Sequence, residues 1–444
     1  MKVQHVAATL VAALNLYAAS LPGQQPSDTA ARRQQRTLDS LAAVMSALRA
    51  RLDSLSEAPH GAMAMAQQSG APARTGAYMN VGFVSLTDAG WSTTPNLGAL
   101  LQGDHDPKVR GFTIPNSELA LDGAVDPYFK GFSNSVFKLN ETGETGVELE
   151  EAYILTTSLP ANLQIKAGQF FVEFGRQNAQ HPHSWAFVDQ PVVLSRMFGP
   201  DGLRSQGVRL SWLVPTPWYT EALVSVVNST NGTAFSFRSD ESSEIHGGVP
   251  IERPVLGVGD MLVAPRIATS FDLTSSQTLL LGASAALGPN NSGPATKTRI
   301  YGVDGYWKWK SATAQQGFPF LSLQGEALFR TYDAALRVAV NDPATTLLAE
   351  TFKDRGAYAQ MLWGIKPRIV AGLRTDVAGG DVTAFTSEFR GDRLRISPNF
   401  TWYPTEFSKV RFQYNYDDRK NIATDHSLWV QFEFLLGAHA AHKF

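Results

Sequence analysis

From residue 78 onward, polar and apolar residues alternate with a period of two, and the alternation predicts strands. The clearest run is 409–417. Val410, Phe412, Tyr414 and Tyr416 fall on one face, and Lys409, Arg411, Gln413, Asn415 and Asp417 on the other. Before it, Leu394, Ile396, Phe400 and Trp402 oppose Arg393, Arg395, Ser397, Asn399 and Thr401. After it, Leu428, Val430, Phe432 and Phe434 oppose Ser427, Gln431 and Glu433. Tyr301, Val303, Trp307 and Trp309 likewise oppose Asp304, Tyr306, Lys308 and Lys310. Successive Cβ atoms of a strand point to opposite faces, so each segment has one apolar and one polar face. A soluble sandwich shows the same alternation with its apolar faces inward. Three features favour a barrel in a membrane instead. The segments are about ten to thirteen residues, longer than the usual five or six and matched to a tilted crossing. Aromatics sit near segment ends, as in Trp402-Tyr403, Trp218-Tyr219 and Trp307 with Trp309, where interfacial girdles form. The connections also alternate between short and long.

The strands are predicted near 78–87, 116–125, 127–139, 147–157, 162–172, 205–214, 217–227, 262–273, 277–287, 298–310, 318–331, 355–364, 367–376, 391–402, 406–418 and 426–437. The fold class is therefore all-β: a 16-stranded antiparallel transmembrane β-barrel over 78–444, with 14–18 strands allowed because 116–139 alternates poorly. The even connections are tight, with 311–317 the longest, and the odd ones are mostly long. Short periplasmic turns and long outer loops are the outer-membrane pattern. Among the long connections, 173–204 stands apart, with two Pro pairs, His and Trp, and no clean alternation.

The N-terminal part reads differently. Lys2 and His5 precede an apolar run, 6–21, that ends near Ala18-Ala19-Ser20, and 1–21 is read as a signal peptide. A polar linker and a coiled coil occupy 22–58, with Leu38, Leu41, Met45, Leu48, Leu52 and Leu55 as its a/d seam. The Ala-, Gly- and Pro-rich stretch 59–77 is a tether. A formal net charge of −2 gives no reason to expect nucleic acid, and the absence of Cys excludes a disulfide scaffold or thiolate metal site. No Gly-x-Ser-x-Gly elbow is present, so no enzyme is expected. His181-Pro182-His183 alone is too sparse for a metal site, and no metal or cofactor is expected. Trp185 and Phe187 are read as loop anchors. Phe444, in phase with Leu436 and Phe434, resembles the terminal aromatic read by the outer-membrane barrel assembly machinery.

Glu150-Glu151-Ala152-Tyr153-Ile154, a tight turn, Ile165-Lys166-Ala167-Gly168-Gln169-Phe170-Phe171 and then Glu173-Phe174-Gly175-Arg176 resemble the phosphate-selective porin family of bacterial outer membranes. The match is about thirty residues long, and Phe171 stands where that family often has Lys. The resemblance implies a homotrimer of sixteen-stranded barrels in the outer membrane, each with its third long loop folded inward. The expected function is passive diffusion of small hydrophilic solutes, with anions or phosphate among them.

In such a pore, selectivity lies in the charge and size of the constriction. The loop offers Arg176, His181, His183, Asp189, Arg196, Asp201 and Arg204, and the polar strand faces add Lys308, Lys310, Arg330, Arg374, Arg393, Arg395, Lys409 and Arg411. Set against Glu221, Asp272, Asp304, Glu326 and Glu433, the basic excess points to a weak anion preference. The alternative is a closed barrel that anchors the outer membrane to the cell wall through its periplasmic coiled coil.

Overall fold

The structure, a computed structural model, describes residues 78–437 apart from 101, 102, 141, 231 and 421. The signal peptide, the linker and coiled coil, the tether and Phe444 lie outside the described residues. Sixteen strands close into one antiparallel barrel. In chain order they are β1 (Tyr78–Ser92), β2 (Gly111–Ala124), β3 (Phe129–Leu139), β4 (Thr145–Thr156), β5 (Leu163–Phe171), β6 (Arg204–Leu213), β7 (Tyr219–Val227), β8 (Leu262–Thr274), β9 (Gln277–Pro289), β10 (Lys297–Gln315), β11 (Phe318–Ala334), β14 (Glu350–Lys366), β15 (Ile369–Gly380), β16 (Arg393–Thr405), β17 (Ser408–Arg419) and β18 (Ala423–Gly437). The connection after β11 carries a two-stranded ribbon, β12 (Arg337–Val338) and β13 (Thr346–Leu347). Each strand pairs with its sequence neighbour in the barrel, and β1 pairs with β18 to close it. Closure leaves no unpaired sheet edge.

The connections divide into two sets at the two ends of the barrel. One end carries 125–128, 157–162, 214–218, 275–276, 316–317, 367–368 and 406–407. The other carries 93–110, 140–144, 172–203, 228–261, 290–296, 335–349, 381–392 and 420–422. The longer turn expected at 311–317 is replaced by two residues. Pairing of β10 with β11 continues to Gln315 after a register shift beyond Lys310, which lengthens the hairpin toward its turn.

Burial along the strands is inverted relative to a soluble protein. On β17, Lys409, Arg411, Gln413, Asn415 and Asp417 are all buried, whereas Phe412 and Tyr414 are exposed. On β18, Ser427, Gln431 and Glu433 are buried, and Leu428, Phe432 and Leu436 are exposed. Val208, Leu210 and Trp212 on β6 and Phe400 and Trp402 on β16 extend the exposed apolar surface around the barrel. The polar faces therefore point into the barrel and the apolar faces point out. An apolar band continuous over so many strands is stable only against an apolar surrounding.

Candidate functional site

The polar faces are buried because 172–203 occupies the lumen. It contains a short helix, α1 (Val192–Phe198). Its contacts reach β2, β3 and β4 on one side, β9 and β11 on another, and β15, β16 and β17 on a third, so it crosses the lumen rather than lying along one wall.

The loop enters through Glu173-Phe174-Gly175-Arg176. Glu173 accepts a hydrogen bond from Lys166 Nζ at 2.6 Å and pairs with Arg209, both on the neighbouring wall. Gly175 has φ of 61°, and a Cβ there would lie 2.0 Å from Glu326 Oε2. With no Cβ, the backbone approaches closely. The N–H groups of Arg176 and Gln177 donate to Glu326 Oε1 at 3.0 and 2.7 Å, and that of Gly175 donates to Ser284 Oγ at 3.0 Å. The Arg176 side chain then stacks 4.1 Å from the Tyr306 ring centroid and donates to Gln324 at 2.9 Å.

The next segment faces carboxylates. His181 Nδ1 lies 2.8 Å from Glu150 Oε2, and its Nε2 lies 2.9 Å from Glu151 Oε2. Carboxylates only accept, so both ring nitrogens donate and the ring is an imidazolium. His183 Nδ1 lies 2.9 Å from Glu118 Oε2, and the two His rings stack at 5.8 Å. Burial alone would lower the His181 pKa; the Glu150 and Glu118 charges and the bonds to Glu150 and Glu151 overcome it, and the pKa lies well above the ordinary histidine value. A pKa raised in the docked loop contributes docking stability that is complete below the ordinary value, about 6.5. It is lost as pH rises through the docked value. Protease cleavage within 172–203 is thus expected to increase toward alkaline pH in the folded protein, and His181→Gln is expected to remove that pH dependence while raising cleavage throughout.

On the far side the charges are reversed. Asp189 Oδ1 takes Arg374 at 2.7 Å and Gln413 at 2.9 Å, and its Oδ2 takes Arg395 at 2.8 Å and Asn415 at 3.0 Å. Although burial opposes ionisation of Asp189, Arg374 and Arg395 hold its pKa below the ordinary carboxylate value. The arginines are held in turn by wall acids. Arg374 pairs with Asp376 at 2.7 Å, and Arg393 and Arg395 share Asp417, each at 2.6 Å. Arg411 donates to the Trp185 carbonyl at 2.8 Å, and Lys409 donates to the His183 carbonyl at 2.6 Å while pairing with Glu433 at 2.7 Å. The loop therefore carries cations where the wall is acidic and an anion where the wall is basic.

Helix α1 faces an apolar patch of wall. Val193, Leu194, Met197 and Phe198 pack with Phe170, Phe174, Val227, Leu262, Ala264, Ala286, Ile300 and Leu328, all buried. The Phe174 and Phe198 rings meet edge to face at 5.0 Å. Arg196, on the helix's opposite side, donates to the carbonyls of Phe389, Arg390 and Gly391 at 2.6–3.0 Å. Arg330 donates to the Arg196 carbonyl at 3.0 Å and shares Asp354 with Arg390. Above this side a cavity of about 590 Å³ is lined by Arg196, Arg330, Arg390, Glu241, Glu244 and Phe385, among others.

Of the residues selected from the sequence, His181, His183, Asp189, Arg374, Arg395, Lys409 and Arg411 come together through the loop, while Arg393 joins Arg395 on Asp417 and donates to the Leu100 carbonyl. Arg196 and Arg330 meet beside the cavity, Arg176 sits at the entry, and Lys308 lies apart from the loop, 4.9 Å from the Phe320 ring centroid. Arg204 is the first residue of β6, paired with Glu148 and 3.7 Å from Asp201. Trp185 and Phe187 are buried, and Arg374 stacks on Phe187 at 4.8 Å. The sequence reading gave no site role to Glu118, Glu150, Glu151, Asp354, Asp376 and Asp417. The last two share the polar face of Arg374 and Lys409 on their strands, a signal that parity carries. Glu150 and Glu151 both point inward because a register shift after Asn134 breaks the alternation there.

These features define a sixteen-stranded barrel of porin type with an inward-folded third loop. No family model matches the chain. The chain belongs to the family of an Aquifex aeolicus (strain VF5) protein described as uncharacterized, with which it is 32% identical over 355 residues, 76% of this chain and 70% of that protein. Among solved structures, the outer membrane channel DcaP of Acinetobacter baumannii is similar with a TM-score of 0.52 at 14% identity, covering 83% of this chain and 99% of that one. The anion-selective porin from Comamonas acidovorans has a TM-score of 0.51 at 9% identity, covering 81% and 100%. At these identities the likeness is one of fold.

Proposed function

We propose that the protein is an outer-membrane channel for passive diffusion of small hydrophilic solutes, with 172–203 as its constriction. The observation that carries this reading is the inverted barrel crossed by a loop whose charges complement opposite walls. A lumen lined by ionised side chains is what an aqueous path requires, and an anchor has no use for it. The names of the two structural neighbours, a channel and a porin, agree with it. The selectivity proposed is a weak anion preference. Arg196 and Arg411 have no carboxylate within ion-pair distance among the described residues and donate instead to carbonyl, hydroxyl and amide oxygens. The proposed assembly is a homotrimer: outward-facing Gln169 and Gln206 pair across β5 and β6 at 2.5 Å, and an amide pair on that face is better covered by protein than by lipid.

Proteoliposome swelling tests the reading. Small neutral sugars should enter vesicles holding the refolded protein, and small sugar acids should enter somewhat faster. Vesicles that exclude both would overturn it. The membrane placement carries its own expectation. Phe412, 46% exposed on β17, should face lipid, and Phe412→Arg should lower folding stability in a bilayer by about 2–4 kcal/mol. Reversible unfolding in lipid vesicles measures this, and a change near zero would place that face in water.

A further inference from the structure

Apart from the loop's docking contacts, histidine and carboxylates meet where the first long connection, 93–110, touches the end of the third. Asp104 and His105 come from the first and Asp201 from the third, and one ligand atom of each lies within 4.8 Å of the other two. His105 is buried, and its Nδ1 lies 3.4 Å from the Pro115 carbonyl. A carbonyl only accepts, so Nδ1 donates in that contact and Nε2 is the nitrogen turned to the carboxylates, the orientation seen when a backbone carbonyl steadies a metal-binding imidazole. Nε2 faces Glu150 Oε1 at 3.5 Å and Asp201 Oδ1 at 3.8 Å. Glu150 is 1% exposed; its Oε2 serves His181 and Asn134, but Oε1 accepts no hydrogen bond. Asp201 Oδ1 accepts none either.

Nε2 and two carboxylate oxygens, one fully buried, need positive charge between them, which a proton on Nε2 supplies in the free site and a bound metal ion can replace. The geometry points to a divalent transition-metal site formed by His105 Nε2, Glu150 Oε1, Asp201 Oδ1 and a carboxylate oxygen of Asp104. Ligand atoms of a tetrahedral site with bonds of about 2.0–2.2 Å stand about 3.3–3.6 Å apart, close to the two spacings above. An imidazole among carboxylates suits zinc and its neighbours better than calcium, which takes six to eight oxygens. Surrounding cations leave room for the ion. Arg204 lies 3.7 Å from the other oxygen of Asp201. Lys108 is 3.8 Å from Asp104. Lys138 pairs with Asp104 but also has Glu148 at 3.1 Å, to which it moves when the ion takes Asp104. The bound ion ties the first connection to the exit of the third and to β4, and through Glu150 it shares a carboxylate with the His181 anchor.

Equilibrium dialysis of the refolded, chelator-stripped full chain against Zn²⁺, with elemental quantification, tests this site independently of any channel activity. One ion per chain is expected. His105→Gln is expected to weaken binding at least about tenfold, as is Asp201→Asn, which serves should His105→Gln fail to fold. His426→Ala, on the outer face, is expected to bind as the parent does. Zn²⁺ should also raise the thermal unfolding temperature of the parent and not that of His105→Gln. A parent that binds no Zn²⁺, or a folded His105→Gln or Asp201→Asn that retains parental affinity, overturns the assignment.

Discussion

Replacing Asp189 with Ala is expected to release the constriction loop from one entire side of the barrel. This carboxylate is 1% exposed and joins β15, β16 and β17 to the loop through Arg374, Arg395, Gln413 and Asn415. Removing it leaves two buried guanidinium groups with one counter-charge fewer. Breaking a buried ion pair from one side costs about 3–5 kcal/mol, most of it the uncompensated charge that remains. The barrel itself is held by strand pairing and should persist, so the loss falls on loop docking. Cleavage within 172–203 by added protease should rise, channel conductance should increase, and the newly uncovered arginines should strengthen anion preference. Asp189→Asn should show the same direction, because the amide keeps hydrogen-bonding capacity and not the charge. An Asp189→Ala protein with parental loop protection would mean that the apolar side alone fixes the loop.

That apolar side gives the second large effect. Phe198 is 1% exposed and packs edge to face on Phe174 within the cluster between α1 and the wall. Phe198→Ala removes the ring and leaves a cavity whose lining, β-strand wall on one side and helix on the other, collapses poorly. Such substitutions cost about 3–5 kcal/mol. Here the helix is free to undock where a barrel strand is not, so the expected result is a mobile α1 in an intact barrel. Hydrogen exchange should show protection lost across 192–198 and retained in β8 to β11. Exchange lost throughout the barrel would make the cluster a condition for closing it. Phe198→Leu, which refills part of the volume, should recover most of the protection.

The fold was legible because barrel strands carry their signal in parity alone. On β16 to β18 most residues repeat the alternation, Trp429 and Leu435 being inward-facing exceptions, and sixteen strands close the barrel near the predicted segments. Parity also put Arg374, Arg393, Arg395, Lys409 and Arg411 on the polar strand faces, and all five side chains are buried in the structure. It could not show that Asp417 comes within hydrogen-bond distance of Arg393 and Arg395 on the next strand, since cross-strand register is not written in one strand. Nor could it show what the loop covers. The basic residues read as a lining are largely paired or capped by loop carbonyls, so a count of charges overstates the field a solute meets. The acidic corner was hidden for a different reason. Glu118, Glu150 and Glu151 lie on strands where a bulge interrupts alternation, and His105 lies in a connection with no periodicity at all.

On the function proposed, this barrel conducts and 172–203 sets its width. Single-channel recording of the refolded protein in a planar bilayer under a KCl gradient tests both. Steady steps with a reversal potential of the anion-selective sign are expected, with larger steps for Asp189→Ala. A correctly folded barrel that passes no current, in the parent and in Asp189→Ala alike, would contradict the claim and leave a closed membrane anchor in its place.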